Sequence, residues 1–197
     1  MSKARSKISP PARARILETA TDLFSNQGYR ATGVNEVIEK SGVAKATFYN
    51  HFPSKDALCL AYLKTRNDFE LDSIKAFVAK RRSPLGRFMG VIEALEPWLQ
   101  ANDLRGCGFL NIVAEVPNPK SPLRKEGRKH YEGMRNLIRE LTLDLIESEA
   151  NNHGQLDAER ITDDYMVIIG GSIALAEIYH DTWPIRQGID MVARLVH

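Results

Sequence analysis

Between Val43 and Leu58 the chain runs VAKATFYNHFPSKDAL, so that Lys45, Thr47, Tyr49, Asn50, His51 and Lys55 crowd around Phe48 and Phe52. An ammonium, hydroxyls, a carboxamide and an imidazole offer varied donors and acceptors, a mixture suited to contacting another molecule's polar edges. A catalyst needs more order than this. The sequence holds no nucleophile–base pair, phosphate-cradling glycine loop or HExxH-type spacing, and the scattered His130, Glu115 and Asp163-Asp164 form no such set. No enzyme activity is expected, and neither a metal nor a cofactor.

A helix over roughly 44–52 presents these groups selectively. Ala44, Phe48 and Phe52 fall on one face at i, i+4, i+8 and form an apolar anchor, whereas Ala46 and Asn50 point the opposite way between Thr47 and Tyr49. Thr32 is expected to cap a short preceding helix whose Val34, Val37 and Ile38 turn inward, and Ser41-Gly42 breaks the chain between the two. Two short helices joined by a tight glycine turn, the second polar outward, describe a helix-turn-helix, whose second helix enters the major groove of DNA. Lys45 then contacts guanine or a phosphate, Thr47 offers a hydroxyl or a methyl to base edges, and Ala46 lets the backbone approach closely. Tyr49, His51 and Lys55 suit phosphate oxygens, as does Thr32 at a helix N-terminus, and Asn50 joins them on the outer face.

The charge distribution points the same way. Residues 1–55 hold nine Lys/Arg against four Asp/Glu, whereas the rest of the chain holds 18 against 21. A basic quarter on a mildly acidic body is expected to meet a polyanion. Two cysteines, Cys59 and Cys107, make no disulfide framework and no zinc set, which favours a reducing cytoplasm. The basic N-terminus has no apolar core and is not a secretory signal, and the longest apolar run, Tyr165 to Ala176, is too short to span a bilayer.

Nearly every segment has helical periodicity. Ser9-Pro10-Pro11 starts a helix with Ile16, Ala20, Leu23 and Phe24 on one face and Gly28 at its end, and Pro53-Ser54 restarts the chain into a long helix to about Lys80. Ser83-Pro84 and Ser121-Pro122 repeat the cap-plus-proline signal, with a shorter helix from Gly106 to Val116 between them. A turn at Asn151–Gly154 precedes a helix near 158–180, and 184–196 closes the chain. The spacing predicts an all-α fold of about nine helices.

GVAKATFYNHFPSKDAL resembles the signature of the TetR family of bacterial transcriptional regulators, which commonly reads close to GVSKGTLYRHFPSKEAL, and the likeness runs over about Ala12–Leu63. Ala44 stands where Ser is common, Ile38 where Ala is frequent, and Asn50 where a basic residue is frequent. The resemblance implies a three-helix helix-turn-helix DNA-binding domain over 10–55 and a helical ligand-binding and dimerisation domain over 56–197. It further implies a homodimer, paired through the helices near 158–180 and 184–196, that acts in the bacterial cytoplasm at the nucleoid. Such a dimer represses at a palindromic double-stranded DNA operator and is released by a small hydrophobic effector. Phe69, Phe77, Trp98, Cys107, Phe109, Tyr131, Met134 and Tyr165 are the candidates to line the effector pocket, with Glu115 and His130 as candidate polar anchors. Cys107 sits in Arg105-Gly106-Cys107-Gly108, at an expected helix N-terminus beside an arginine, surroundings that lower a thiol pKa and suit a redox or electrophile sensor. A free cysteine is otherwise a small buried apolar residue. A DNA-binding protein without any small-molecule effector is the other alternative.

Overall fold

Serines, prolines and glycines set most element boundaries in the computed structural model, which describes residues 10–148 and 156–196. The helices are α1 (Ala12–Ala31), α2 (Val34–Ser41), α3 (Lys45–His51), α4 (Lys55–Val78), α5 (Pro84–Glu93), α6 (Leu95–Ala101), α7 (Gly108–Glu115), α8 (Pro122–Ser148), α9 (Ala158–Tyr179) and α10 (Trp183–Ala193), followed by a 3-10 turn at Arg194–Val196. Among the described residues no strand occurs, in agreement with the all-α expectation, and no helix is long and apolar enough to cross a membrane. Ser54 Oγ accepts from Ala57 N at 3.0 Å ahead of α4, Ser83 Oγ from Gly86 N at 3.0 Å ahead of α5, and Ser121 Oγ from Leu123 N at 3.2 Å ahead of α8. The prolines beside the last two lose nothing in a first turn, where the N–H has no helical partner. Ser9 and the Asn151–Gly154 turn lie outside the described residues; Pro11 precedes α1, and Asp157 caps α9.

Among the described residues the expected succession of about nine helices is found, with one further division at Ala94. Pro97 has no N–H to offer the Glu93 carbonyl, and the helix begun at Pro84 breaks into α5 and α6. Gly28 does less than stop α1: at φ 85° it kinks the helix, which resumes for a last turn to Ala31.

The chain divides into two compact units after Lys64. In the first, Ile16, Ala20, Leu23 and Phe24 of α1 are buried together with Val37, Phe48, Phe52, Leu58 and Tyr62. The Phe24 and Tyr62 ring centroids lie 5.5 Å apart. In the second, α8 packs on α5, α7 and α9, and α9 pairs with α10. Gly188 makes that pairing close, since a Cβ on it would meet Ser172 Oγ at 2.4 Å.

Tyr165 ties α9 to α5. Its ring meets Phe88 edge-on at 4.9 Å; its hydroxyl donates to the Phe88 carbonyl at 2.8 Å and accepts from Ile92 N at 3.1 Å. Phe88 and Ile92 stand four residues apart, so the phenol occupies one rung of the α5 ladder in a dry core. Tyr165→Phe is therefore expected to cost ~1–3 kcal/mol in urea unfolding at unchanged helix content. A loss below about 0.5 kcal/mol would mean that the rung closes by itself.

Candidate nucleic-acid interface

α3 has one anchored side and one open side. Phe48 is wholly buried and Phe52, just past the helix end, nearly so, with ring centroids 6.3 Å apart. Lys45, Ala46, Tyr49, Asn50 and His51 are exposed and Thr47 is half-buried. Among the described residues, the polar groups of Lys45, Thr47, Tyr49, Asn50 and His51 have no intramolecular hydrogen-bond partner. Ala44, expected on the anchor face, is instead the exposed residue preceding the helix, because α3 begins at Lys45.

Internal cations hold this helix in place. Gly42, at φ 63°, ends α2 in the left-handed conformation and turns the chain toward α3. Arg15 of α1 clamps that turn: Nε donates to the Ser41 carbonyl at 3.2 Å and Nη2 to the Gly42 carbonyl at 3.5 Å. After α3, Lys55 Nζ donates to the carbonyls of Tyr29 at 2.9 Å, Arg30 at 3.3 Å and Thr32 at 3.0 Å, and lies 4.4 Å from the centre of the Tyr29 ring. All three ammonium protons thus serve the C-terminal end of α1, where carbonyls lack helical partners and the helix dipole favours a cation.

Two expectations are corrected here. Lys55 does not hold its ammonium out toward a phosphate, because three carbonyls occupy it. Thr32 does not cap α2 and offers no hydroxyl to an outside anion. It is fully buried, its hydroxyl donates to the Gly28 carbonyl at 2.7 Å, and the residue preceding α2 is Gly33. The other six expected residues, Lys45 to Tyr49 without Phe48, then Asn50 and His51, are brought together on one short helix. Arg13, 5.2 Å from the centre of the Phe52 ring, and Arg15 were not singled out by their types; their partners are far away in sequence.

Residues 16–62 match the family described as bacterial regulatory proteins, tetR family. The chain is 28% identical over 122 residues to the HTH-type transcriptional regulator LmrA of Bacillus subtilis, a match covering 61% of this chain and 65% of that one. It is 23% identical over 186 residues to an uncharacterized HTH-type transcriptional regulator from Lactococcus lactis, covering 90% and 89%. A crystal structure of a TetR-family transcriptional regulator from Streptomyces coelicolor aligns with a TM-score of 0.82 at 28% identity, over 94% of this chain and 89% of that one. The chain belongs to the TetR family. The relatives found are named transcriptional regulators, not enzymes.

The second unit of this TetR-family chain contains a cavity of about 170 Å³. Trp98, Cys107, Tyr131 and Met134 line it. Other sequence candidates do not: Phe69 is 64% exposed, Phe109 stacks on His130 at 3.9 Å, and Tyr165 is held by α5. Phe77, expected there, lines it too; the largest share missed lies beside it on α4, where Glu70, Ser73 and Ile74 face the cavity at helical spacing. That spacing was visible, but a glutamate at its head disguised an inward face.

Burial governs the chemistry at the polar end of this cavity. Glu70 is 4% exposed, and desolvation raises its carboxyl above the usual range against the pull of Arg66, whose Nη2 lies 2.6 Å from Oε1. Burial, and then the Arg66 charge, push the His130 imidazole down to about 4. Burial first, then the Glu70 charge, push the Cys107 thiol up to about 11. The expected lowering of the Cys107 pKa is thus reversed: nearby Arg105 pairs with Asp103 at 3.3 Å, and Cys107 is 3% exposed. Iodoacetamide at pH 7.5 is expected to label folded Cys107 about 100-fold more slowly than the urea-unfolded chain, from the lost thiolate alone. Equal rates by mass spectrometry would restore the sensor reading.

Proposed function

We propose that this TetR-family protein is a homodimeric repressor that binds a two-fold symmetric operator through α3 of each copy and is released by a small effector. One observation carries the DNA-reading part: α3 is anchored by buried phenylalanines yet, among the described residues, leaves Lys45, Thr47, Tyr49, Asn50 and His51 without an internal hydrogen-bond partner. Lys45, at the helix start, contacts guanine or phosphate; Thr47 meets base edges; Ala46 admits the backbone close to the groove; Tyr49, Asn50 and His51 flank the phosphates.

The dimer is supported by an apolar face on α9 and α10. Val167 (75% exposed), Leu175, Ile178 (73%), Tyr179, Trp183 and Met191 all stand open to solvent, and a Cβ on Gly170 or Gly171 would touch nothing within 4 Å. Monomeric proteins seldom leave so many large apolar side chains uncovered on adjoining helices. The effector part is supported by the cavity, one wall of which is α4, the helix that also supplies Leu58 and Tyr62 to the first unit. For release, the effector binds the DNA-incompetent arrangement more tightly than the competent one.

Selection from a random DNA pool at fixed salt should return a two-fold symmetric motif with half-sites one helical turn or a multiple apart. Salt-sensitive binding without a motif would overturn the reading. Lys45→Ala should weaken operator binding and flatten the slope of log K against log salt by about one, while Lys55→Met should leave that slope unchanged. Ile178→Asp should yield a monomer in sedimentation velocity; a dimer that survives would place the interface elsewhere.

A further inference from the structure

Two hydrogen-bond acceptors meet at the polar end of the α4–α8 cavity without a donor between them. Glu70 Oε2 and His130 Nε2 are 3.8 Å apart, beyond a direct hydrogen bond. Each residue is at least nine-tenths buried, and both line the cavity. The tautomer of His130 follows from its other neighbours. Asn67 Nδ2 donates to Asp68 Oδ1 at 3.1 Å, so Asn67 Oδ1 is left to accept from His130 Nδ1–H at 3.2 Å, and Nε2 carries the lone pair. Arg66 Nη2 forms an ion pair with Oε1 of Glu70 at 2.6 Å, out of line for a hydrogen bond, and Oε2 is the oxygen that faces His130.

Elsewhere on the wall Tyr131 and Cys107 are neighbours, and the Ser73 hydroxyl donates to the Phe69 carbonyl at 2.7 Å. Ile74, Phe77, Leu95, Trp98, Ile169 and Ile173 supply the apolar remainder. An anionic head would meet the Glu70 carboxylate. A cationic head would compete with Arg66 for a carboxylate already neutralised. A hydroxyl has one proton for two acceptors. An uncharged primary amine or amide has two, and fits.

We propose that the effector is an uncharged aromatic or alkyl-aromatic molecule whose NH2 group bridges Glu70 Oε2 and His130 Nε2, with its apolar body against Phe77 and Trp98. This inference rests on the reading of the cavity as the effector site and adds the chemistry of the ligand. Because Glu70 lies on α4 and His130 on α8, such a group ties the two helices together.

The test uses the full chain at pH 7.5 with matched probes: 4-propylaniline, 4-propylphenol, propylbenzene, 4-propylbenzoate and 4-propylbenzylammonium, followed by calorimetry and tryptophan fluorescence. The aniline is expected to bind about tenfold or more tighter than propylbenzene, the phenol in between, and both ions more weakly than the aniline. Glu70→Met and His130→Leu should each cut the aniline-over-propylbenzene preference below about threefold. Propylbenzene affinity, which uses the apolar wall alone, reports whether the pocket is intact. If Glu70→Met fails to fold, Glu70→Gln, which keeps one acceptor, should give a preference between that of the parent and of His130→Leu. The tightest binding by either ion, a preference that survives Glu70→Met in an intact pocket, or no binding by any probe overturns the proposal. Operator affinity measured with each bound probe separates the two readings. The predicted preference without any effect on operator binding removes effector control and keeps the ligand site, whereas operator release by the benzoate alone keeps effector control and removes the amine bridge.

Discussion

A seven-residue helix has almost no stability of its own in water, because the cost of nucleation is not recovered within two turns. α3 is such a helix, and it must still hold a row of polar groups outward without internal bonds. The first unit is organised around that constraint. Phe48 and Phe52 anchor one side in the core, Gly42 turns the chain into the helix, Arg15 clamps the turn before it, and Lys55 fastens the segment after it to the end of α1. The free donors and acceptors of α3 exist because neighbouring side chains do the holding.

Formal charge and available charge therefore differ. The first 55 residues have a clear basic excess, yet Arg15 and Lys55 point into their own backbone, Arg13 lies over the Phe52 ring, and Lys40 pairs with Glu36 at 2.8 Å. The Glu36 carboxyl is in turn held below the usual range by its hydrogen bonds from Lys40 and Gln27. Within the described helix-turn-helix the lysine that faces outward on the open side is Lys45. A field that attracts a polyanion and a side chain that touches it are separate properties, and the fold assigns them to different residues.

The second unit solves the opposite problem, polar groups inside an apolar interior. Satisfied ones stiffen it: Tyr165 bridges α9 to α5. At one end of the cavity Glu70 and His130 face each other without a direct hydrogen bond. The direction of each pKa shift follows from one cause. Desolvation penalises the charged form, so the carboxyl and the thiol move up and the imidazole moves down. A helix N-terminus and an adjacent arginine would have lowered the Cys107 thiol at a surface; they lose to burial.

The sequence by itself determined the kind of fold, most helix boundaries and the helix that faces outward, because these depend on short-range causes: periodicity over one or two turns, a serine before a proline, a glycine able to take positive φ. It also sufficed for Phe48 as anchor and for Phe77, Trp98, Cys107, Tyr131 and Met134 as cavity wall. Only the tertiary structure decided what Lys55, Thr32, Arg15, Tyr165 and Cys107 do. Lys55 reaches Tyr29 across 26 residues, and Tyr165 reaches Phe88 across 77. A polar side chain on a helix carries the same letter whether it meets solvent, a carbonyl or an apolar wall. Its partner and its desolvation are properties of the packed chain, and those two quantities set its role.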